Sequence, residues 1–225
     1  MKELSFKNIQ YLALPAIISG ITEPILSATD AAVVGNIPIY GTEALAAVGV
    51  VGSFLSMLIW VLAQTRSAIS TIVAQNLGAG KVAGLHRFPG QAIVFNVGLG
   101  VLVLAITSLF IQEIFVLLNA QGLVLDLSMS YYKIRVWGFP FTLFTFALFG
   151  VFRGLQNTIY PMIVAGLGAL LNVGLDFLLV YGYGDHIPAM GVDGAAWASL
   201  ISQAFMAFFV LIIYFKKSSI SLAFL

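Results

Sequence analysis

Apolar residues run along this chain in six long blocks, at residues 9–34, 45–73, 91–118, 128–152, 160–181 and 191–215. Each reaches or exceeds the ~20 residues that an α-helix needs to cross the bilayer core, so six spanning helices are predicted. The interruptions between them are polar and turn-rich. Gly35-Asn36-Ile37-Pro38 with Tyr40-Gly41 makes the first, and residues 76–89, with Gly78, Gly80, Lys81, Gly84 and Arg87, make the second. Asn119-Ala120-Gln121-Gly122, Gln156-Asn157-Thr158 and the stretch from Gly182 to Asp193 make the remaining three. No segment reads as low-complexity or as a water-soluble domain. The expected fold is an all-α polytopic membrane protein, with residues 1–225 forming a single six-helix transmembrane lobe.

Composition sharpens this reading. The chain is 60% hydrophobic and 8% charged, with a mean hydropathy of +1.04. Soluble domains carry roughly a quarter charged residues, so this chain could not clothe a water-facing surface, and membrane lipid is its expected surroundings. A net charge of +1 and the lack of any basic run give no sign of a nucleic-acid partner. Cysteine is absent, which excludes disulfides, thiol catalysis and thiolate metal sites. The first apolar block is too long for the core of a signal peptide and is read as a retained helix.

Basic residues orient the lobe. With the N-terminus inside, Lys2, Lys7, Lys81, Arg87, Arg153, Lys216 and Lys217 fall on the inner side, while Lys133 and Arg135 fall near the outer one. The outer segments hold the acids Glu43, Glu113, Asp126, Asp185 and Asp193. Both termini are expected in the cytoplasm, with the protein in the cell (inner) membrane. Arg66 lies in the inner half of the second span, where its long stem could snorkel toward the cytoplasmic headgroups.

Within this frame, Asp30 and Asp176 lie inside the first and fifth spans. A charge at bilayer depth costs at least ~2.5–3.5 kcal/mol on insertion scales and usually marks an ion or substrate path. Asp30 precedes Asn36, and Asp176 precedes Gly182, by the same number of residues, so each lies ~9 Å inward from the outer end at 1.5 Å per residue. Asn172 stacks one turn below Asp176. Ser199 in the sixth span and Tyr131 in the fourth add hydroxyls at compatible depths. Such a cluster suits reversible protonation, because lost water and a like-charged neighbour both disfavour a second negative charge. The same oxygens at Asp30, Asn172 and Asp176 also suit a sodium ion. The competing reading is structural: a buried Asp can be a plain hydrogen-bonder, a carboxamide can be packing glue, and helix hydroxyls often bond their own backbone.

Glu23 and Pro24 add a candidate substrate cavity deeper in the first span, beside Ser19 and Ser27. Pro24 removes one backbone hydrogen bond and can bend the helix there. Glu23 could equally satisfy the freed backbone or a neighbouring helix. Other signals are weaker. Gly78-Ala79-Gly80-Lys81 lacks the first glycine and the Ser/Thr of a phosphate loop and reads as a helix-ending turn. Gly150 and Gly154 form a small-xxx-small pair that predicts close helix packing. His86 and His186 have no partners spaced for a metal, no nucleophile–base pair is present, and nothing argues for an enzyme or a cofactor.

Several stretches resemble one family. Leu14-Pro15 followed by Ala28-Thr29-Asp30-Ala31-Ala32-Val33-Val34-Gly35 is similar to the first helix of the MATE (multidrug and toxic compound extrusion) transporters. Ala44 to Gly49 and Ala74 to Gly80 resemble the two ends of their second helix. Phe152-Arg153-Gly154-Leu155-Gln156-Asn157-Thr158 with Pro161-Met162, then Leu171-Asn172-Val173-Gly174-Leu175-Asp176, then Gly191 to Ser199, follow in the family's order. Asn172 with Asp176 resembles the DinF-type branch. The resemblance implies secondary antiport, expelling organic and often cationic compounds in exchange for protons or sodium. It implies coupling at Asp30 and Asp176, orientation by Asn172 and Ser199, and a place for Tyr131 in the cavity; Glu23 is not carried over.

The resemblance covers only the amino-terminal lobe of a twelve-helix, two-lobe architecture, in which sites lie between lobes. A second six-helix lobe is therefore expected from a second copy, a separate subunit or a longer chain, and a piece of a longer protein is the leading expectation. Two other functions stay open: a flippase of the same wider superfamily for lipid-linked sugars, and a membrane subunit that packs against a partner without transporting.

Overall fold

Nine α-helices make up the described residues, 6–81 and 83–217 of the computed structural model; the side chains of Lys7, Asn8, Glu23, Ala83 and Lys217 lie outside that description. They are α1 (Phe6–Gly35), α2 (Gly41–Leu62), α3 (Gln64–Gly78), α4 (Phe88–Leu109), α5 (Ile111–Leu117), α6 (Gly122–Arg135), α7 (Gly138–Gly154), α8 (Ile159–Tyr181) and α9 (Val192–Lys217), with a 3₁₀ turn at Ala83–His86. Five spans are long and apolar enough to cross a membrane singly, and α6 with α7 makes a sixth when taken as one bent span. The lobe is an all-helical, multi-pass membrane fold.

The fourth apolar block is not one straight helix. α6 and α7 meet at 48°. Pro140 has no N–H to offer the carbonyl of Val136, which instead accepts from Phe139 at 3.2 Å, so the regular ladder stops there. The third block also breaks, at Phe110 (φ −118°, ψ 24°), leaving α5 as a short turn of helix after α4. The second runs from Gly41 to Gly78 as one membrane-length span, with α2 and α3 joined through Ala63.

Packing divides the interior in two. One cluster joins Val51, Leu55, Phe115, Tyr132, Phe139 and Val180. The other joins Ile69, Val73, Leu148, Phe152, Val164 and Tyr214. Gly150 and Gly154 place α7 against α3, as their spacing predicted. A Cβ at Gly154 would stand 2.5 Å from Val73 Cβ, and one at Gly150 would stand 2.8 Å from the Arg66 carbonyl oxygen.

Three contacts set the register of the elements that carry the polar cluster. The Tyr181 hydroxyl donates to the Val33 carbonyl at 2.6 Å, pinning the end of α8 to the end of α1. Ser130 donates to Asp193 Oδ1 at 2.7 Å, tying α6 to the first turn of α9. Gly194 lets α9 start against the α8 backbone, where a Cβ would lie 2.5 Å from the Leu179 carbonyl oxygen. α1 is held mainly at this end: Asp30, Val33 and Val34 are buried, whereas Ile9, Tyr11, Leu14, Ile17, Ile21 and Ile25 are exposed.

Candidate functional site

Asp30 and Asp176 each lie five residues before the end of their helix, Gly35 and Tyr181 respectively. Close packing of α1 on α8 therefore brings them to one level, ~7.5 Å from the helix ends at 1.5 Å per residue. Asp176 is 0% and Asp30 4% exposed. Asp30 is a charged neighbour of Asp176. The depth match read from sequence corresponds to a real juxtaposition.

Ser199 links three helices. Its hydroxyl donates to Asp30 Oδ2 at 3.4 Å and accepts from Asn172 Nδ2 at 3.3 Å. Some neighbouring helix hydroxyls bond their own backbone: Ser202 donates to the Ala198 carbonyl and Thr145 to that of Phe141. Ser199 instead spends its proton on a carboxylate. Tyr131, buried on α6, completes the group, with Asp30, Asp176 and Arg135 as its charged neighbours.

Donors are scarce here. Among the described residues, Asp30 Oδ1, Asn172 Oδ1 and both oxygens of Asp176 are buried with no hydrogen-bond partner. An ionised carboxylate only accepts, so two of them facing each other cannot satisfy one another. A proton on one oxygen supplies the missing donor, and a hard monovalent cation among the oxygens would balance their charge. Buried polar groups without partners are rare because each costs ~1–3 kcal/mol or more. Ser199→Ala removes two weak links and should lower stability by only ~1 kcal/mol, at an average of ~0.6 kcal/mol for each interhelical hydrogen bond in a membrane. Thermal unfolding in detergent checks this; a loss several times larger would make Ser199 a structural keystone.

Two basic side chains lie over aromatic rings. The Arg66 guanidinium lies over the Phe146 ring on α7, 4.9 Å from the centroid, where the close α3–α7 contact puts an aromatic face within its reach. Arg135, a basic residue near the outer end of the fourth span, turns inward over the Tyr131 ring at 5.9 Å and is a charged neighbour of Asp176. The signal was available, since Tyr131 and Arg135 are four apart on one helix. Of the proposed cavity residues, Tyr131 joins the acids. Pro24 lies on the exposed side of α1, and the Glu23 side chain lies outside the described residues. Further inward, Arg153 on α7 donates to Ser19 on α1 at 3.0 Å.

An acid pair buried between the helices of a membrane lobe is the kind of feature that marks an ion or substrate path. The chain belongs to the MatE family, whose model matches residues 15–178. It is 32% identical over 201 residues to the DNA damage-inducible protein F of Escherichia coli, covering 88% of this chain and 42% of that protein. It is 28% identical over 221 residues to a probable multidrug resistance protein NorM of Thermotoga maritima, covering 96% and 46%. A crystal structure of a MATE protein in its bent conformation superposes with a TM-score of 0.86 at 25% identity, over 96% of this chain and 47% of that one. This is a multidrug-efflux transporter family, its members being transporters without a cofactor. The chain spans about half the length of the curated relatives it matches.

Proposed function

We propose that this chain is one lobe of a cation-coupled antiporter that exports organic, often cationic, compounds, and that Asp30 and Asp176 bind the coupling proton or sodium ion. One observation carries the reading: a buried acid pair whose oxygens outnumber the donors that face them. Loading a cation satisfies the cluster and releasing it leaves unpaired charge in a low-dielectric place. The two states therefore differ in energy, and a transport cycle can use that difference. Asn172 and Ser199 orient the pair, and Arg135 with Tyr131 balances its charge.

α1 is the element such a change would move. It is anchored beside Asp30, carries Pro15 and Pro24, and exposes most of its length. Proline leaves a carbonyl without its helical donor, so bending there costs less than elsewhere. The exposed apolar side of α1 offers a surface to a second six-helix lobe, and the organic substrate would sit between the two. The distribution of lysine and arginine puts both termini on the cytoplasmic side of the inner membrane.

Efflux from vesicles tests the proposal. The chain, alone and joined to a second lobe, is reconstituted with a fluorescent organic cation inside, and an inward proton or sodium gradient is imposed. Efflux that starts with one gradient and stops when it is collapsed is the expected result, and the effective ion names the coupling. Efflux indifferent to both gradients, or none from either form of folded protein, contradicts the proposal.

A further inference from the structure

A groove of about 310 Å³ opens between α3 and α4, lined by Thr65, Ala68 and Ile72 on one side and Phe88, Gln91 and Phe95 on the other. Its polar end is sealed: the Thr65 hydroxyl sits 2.7 Å from Asn96 Oδ1, and Asn96 Nδ2 donates to the Ala92 carbonyl at 2.9 Å. What remains is apolar wall. Along α4 the lining runs from the first helical residue, Phe88, to Asn96. That is a depth of ~12 Å, close to the thickness of one leaflet, half of a ~30 Å hydrocarbon core.

The connection that leads into the groove at Phe88 is basic. Lys81, His86 and Arg87 are exposed on the connection between α3 and α4. Arg87 directly precedes Phe88 and lies one turn from Gln91, whose N–H bonds the Arg87 carbonyl at 3.2 Å. No Asp or Glu occurs between Glu43 and Glu113, so no acid of this segment offsets these charges. The first turn of α4 carries no acidic residue and no side-chain cap, so nothing in that turn offsets its positive dipole end.

We infer that the α3–α4 groove is a binding site for an anionic phospholipid, one acyl chain lying against Ala68, Ile72, Phe88 and Phe95 and the phosphate held by Arg87 and Lys81. Charge and shape select this occupant: an apolar slot about one leaflet deep ends beside an α3–α4 connection that carries basic residues and no acid. A zwitterionic lipid would gain the slot without the charge, and free phosphate the charge without the slot. The inference rests on the membrane-spanning fold and, for the leaflet concerned, on the cytoplasmic placement proposed above. It does not rest on antiport, so the efflux assay and the lipid assay fail separately.

A tryptophan placed in the groove by Phe95→Trp, in the full chain, reports the occupant through quenching by brominated lipids in vesicles, with the protein lacking this substitution as background. Brominated phosphatidylglycerol should quench at a lower fraction of total lipid than brominated phosphatidylcholine. Arg87→Gln and Lys81→Gln should each weaken the preference roughly fivefold, the effect of about one surface charge on anionic lipid. Lys216→Gln, on α9, which contributes no residue to the groove's lining, should leave it unchanged. Equal quenching by the two lipids, or no response to the charge variants, overturns the site. Absence of quenching by either lipid also overturns it, since protein would then cover the groove. If Phe95→Trp does not fold, native mass spectrometry of the unsubstituted chain with the two lipids reads the same ratio.

Discussion

Replacing Asp176 by Asn is expected to reduce gradient-driven efflux to the level of protein-free vesicles while leaving the protein at least as stable as before. The two effects point in opposite directions for one reason. Asp176 is fully buried and neither of its oxygens has a hydrogen-bond partner among the described residues. Asparagine is nearly the same shape, brings its own N–H donors and carries no charge, so it can serve Asp30 permanently. The pair then no longer alternates between a loaded and an empty state. Relief of an unsatisfied buried acceptor should raise stability by ~1–3 kcal/mol. Efflux rates and thermal unfolding of the same preparation check both parts. A plain structural hydrogen-bonder would behave the other way, with efflux kept and stability lost.

The second large effect is expected at Gly194, and there it is steric. A Cβ at this position would stand 2.5 Å from the Leu179 carbonyl oxygen and 2.6 Å from its carbon. Both are backbone atoms of α8 and cannot swing aside as a side chain would. Gly194→Ala must therefore push α9 away from α8, at the ~1–3 kcal/mol usual for overpacking. Ser199 stands five residues further along α9 and loses its reach to Asp30 and Asn172 as the helices part. Reduced thermal stability together with weakened coupling is the expected result; wild-type stability in Gly194→Ala would mean that α8 and α9 are not held this closely.

Much of this was legible in the residues. Six apolar blocks, their polar breaks and the small-xxx-small pair at Gly150 and Gly154 follow from hydropathy and spacing, because a bilayer permits few alternatives to a helix. The shared depth of Asp30 and Asp176 follows from counting back from two helix ends. What could not be read is whatever depends on how helices rotate against one another. Spacing alone does not tell that Ser199 would face Asp30 while Ser202 turns to its own backbone. The inward turn of Arg135 over Tyr131, and the stacking of Arg66 on Phe146, depend on tertiary neighbours. The bend between α6 and α7 had a local cause, Pro140, but it sits inside a block whose length reads as one span. The acid pair was visible because charge is conspicuous in an apolar sequence, whereas the α3–α4 groove is made of residues that look like any other lipid-facing wall.

The most direct test of the acid pair as the coupling site is infrared difference spectroscopy of the reconstituted protein, following the carboxyl C=O stretch as protons or sodium are added and withdrawn. A protonated-carboxyl band should appear on loading with protons and diminish with sodium, and it should be lost in Asp176→Asn and altered in Asp30→Asn. A band unchanged by both substitutions, or by both ions, would place the coupling elsewhere in the protein.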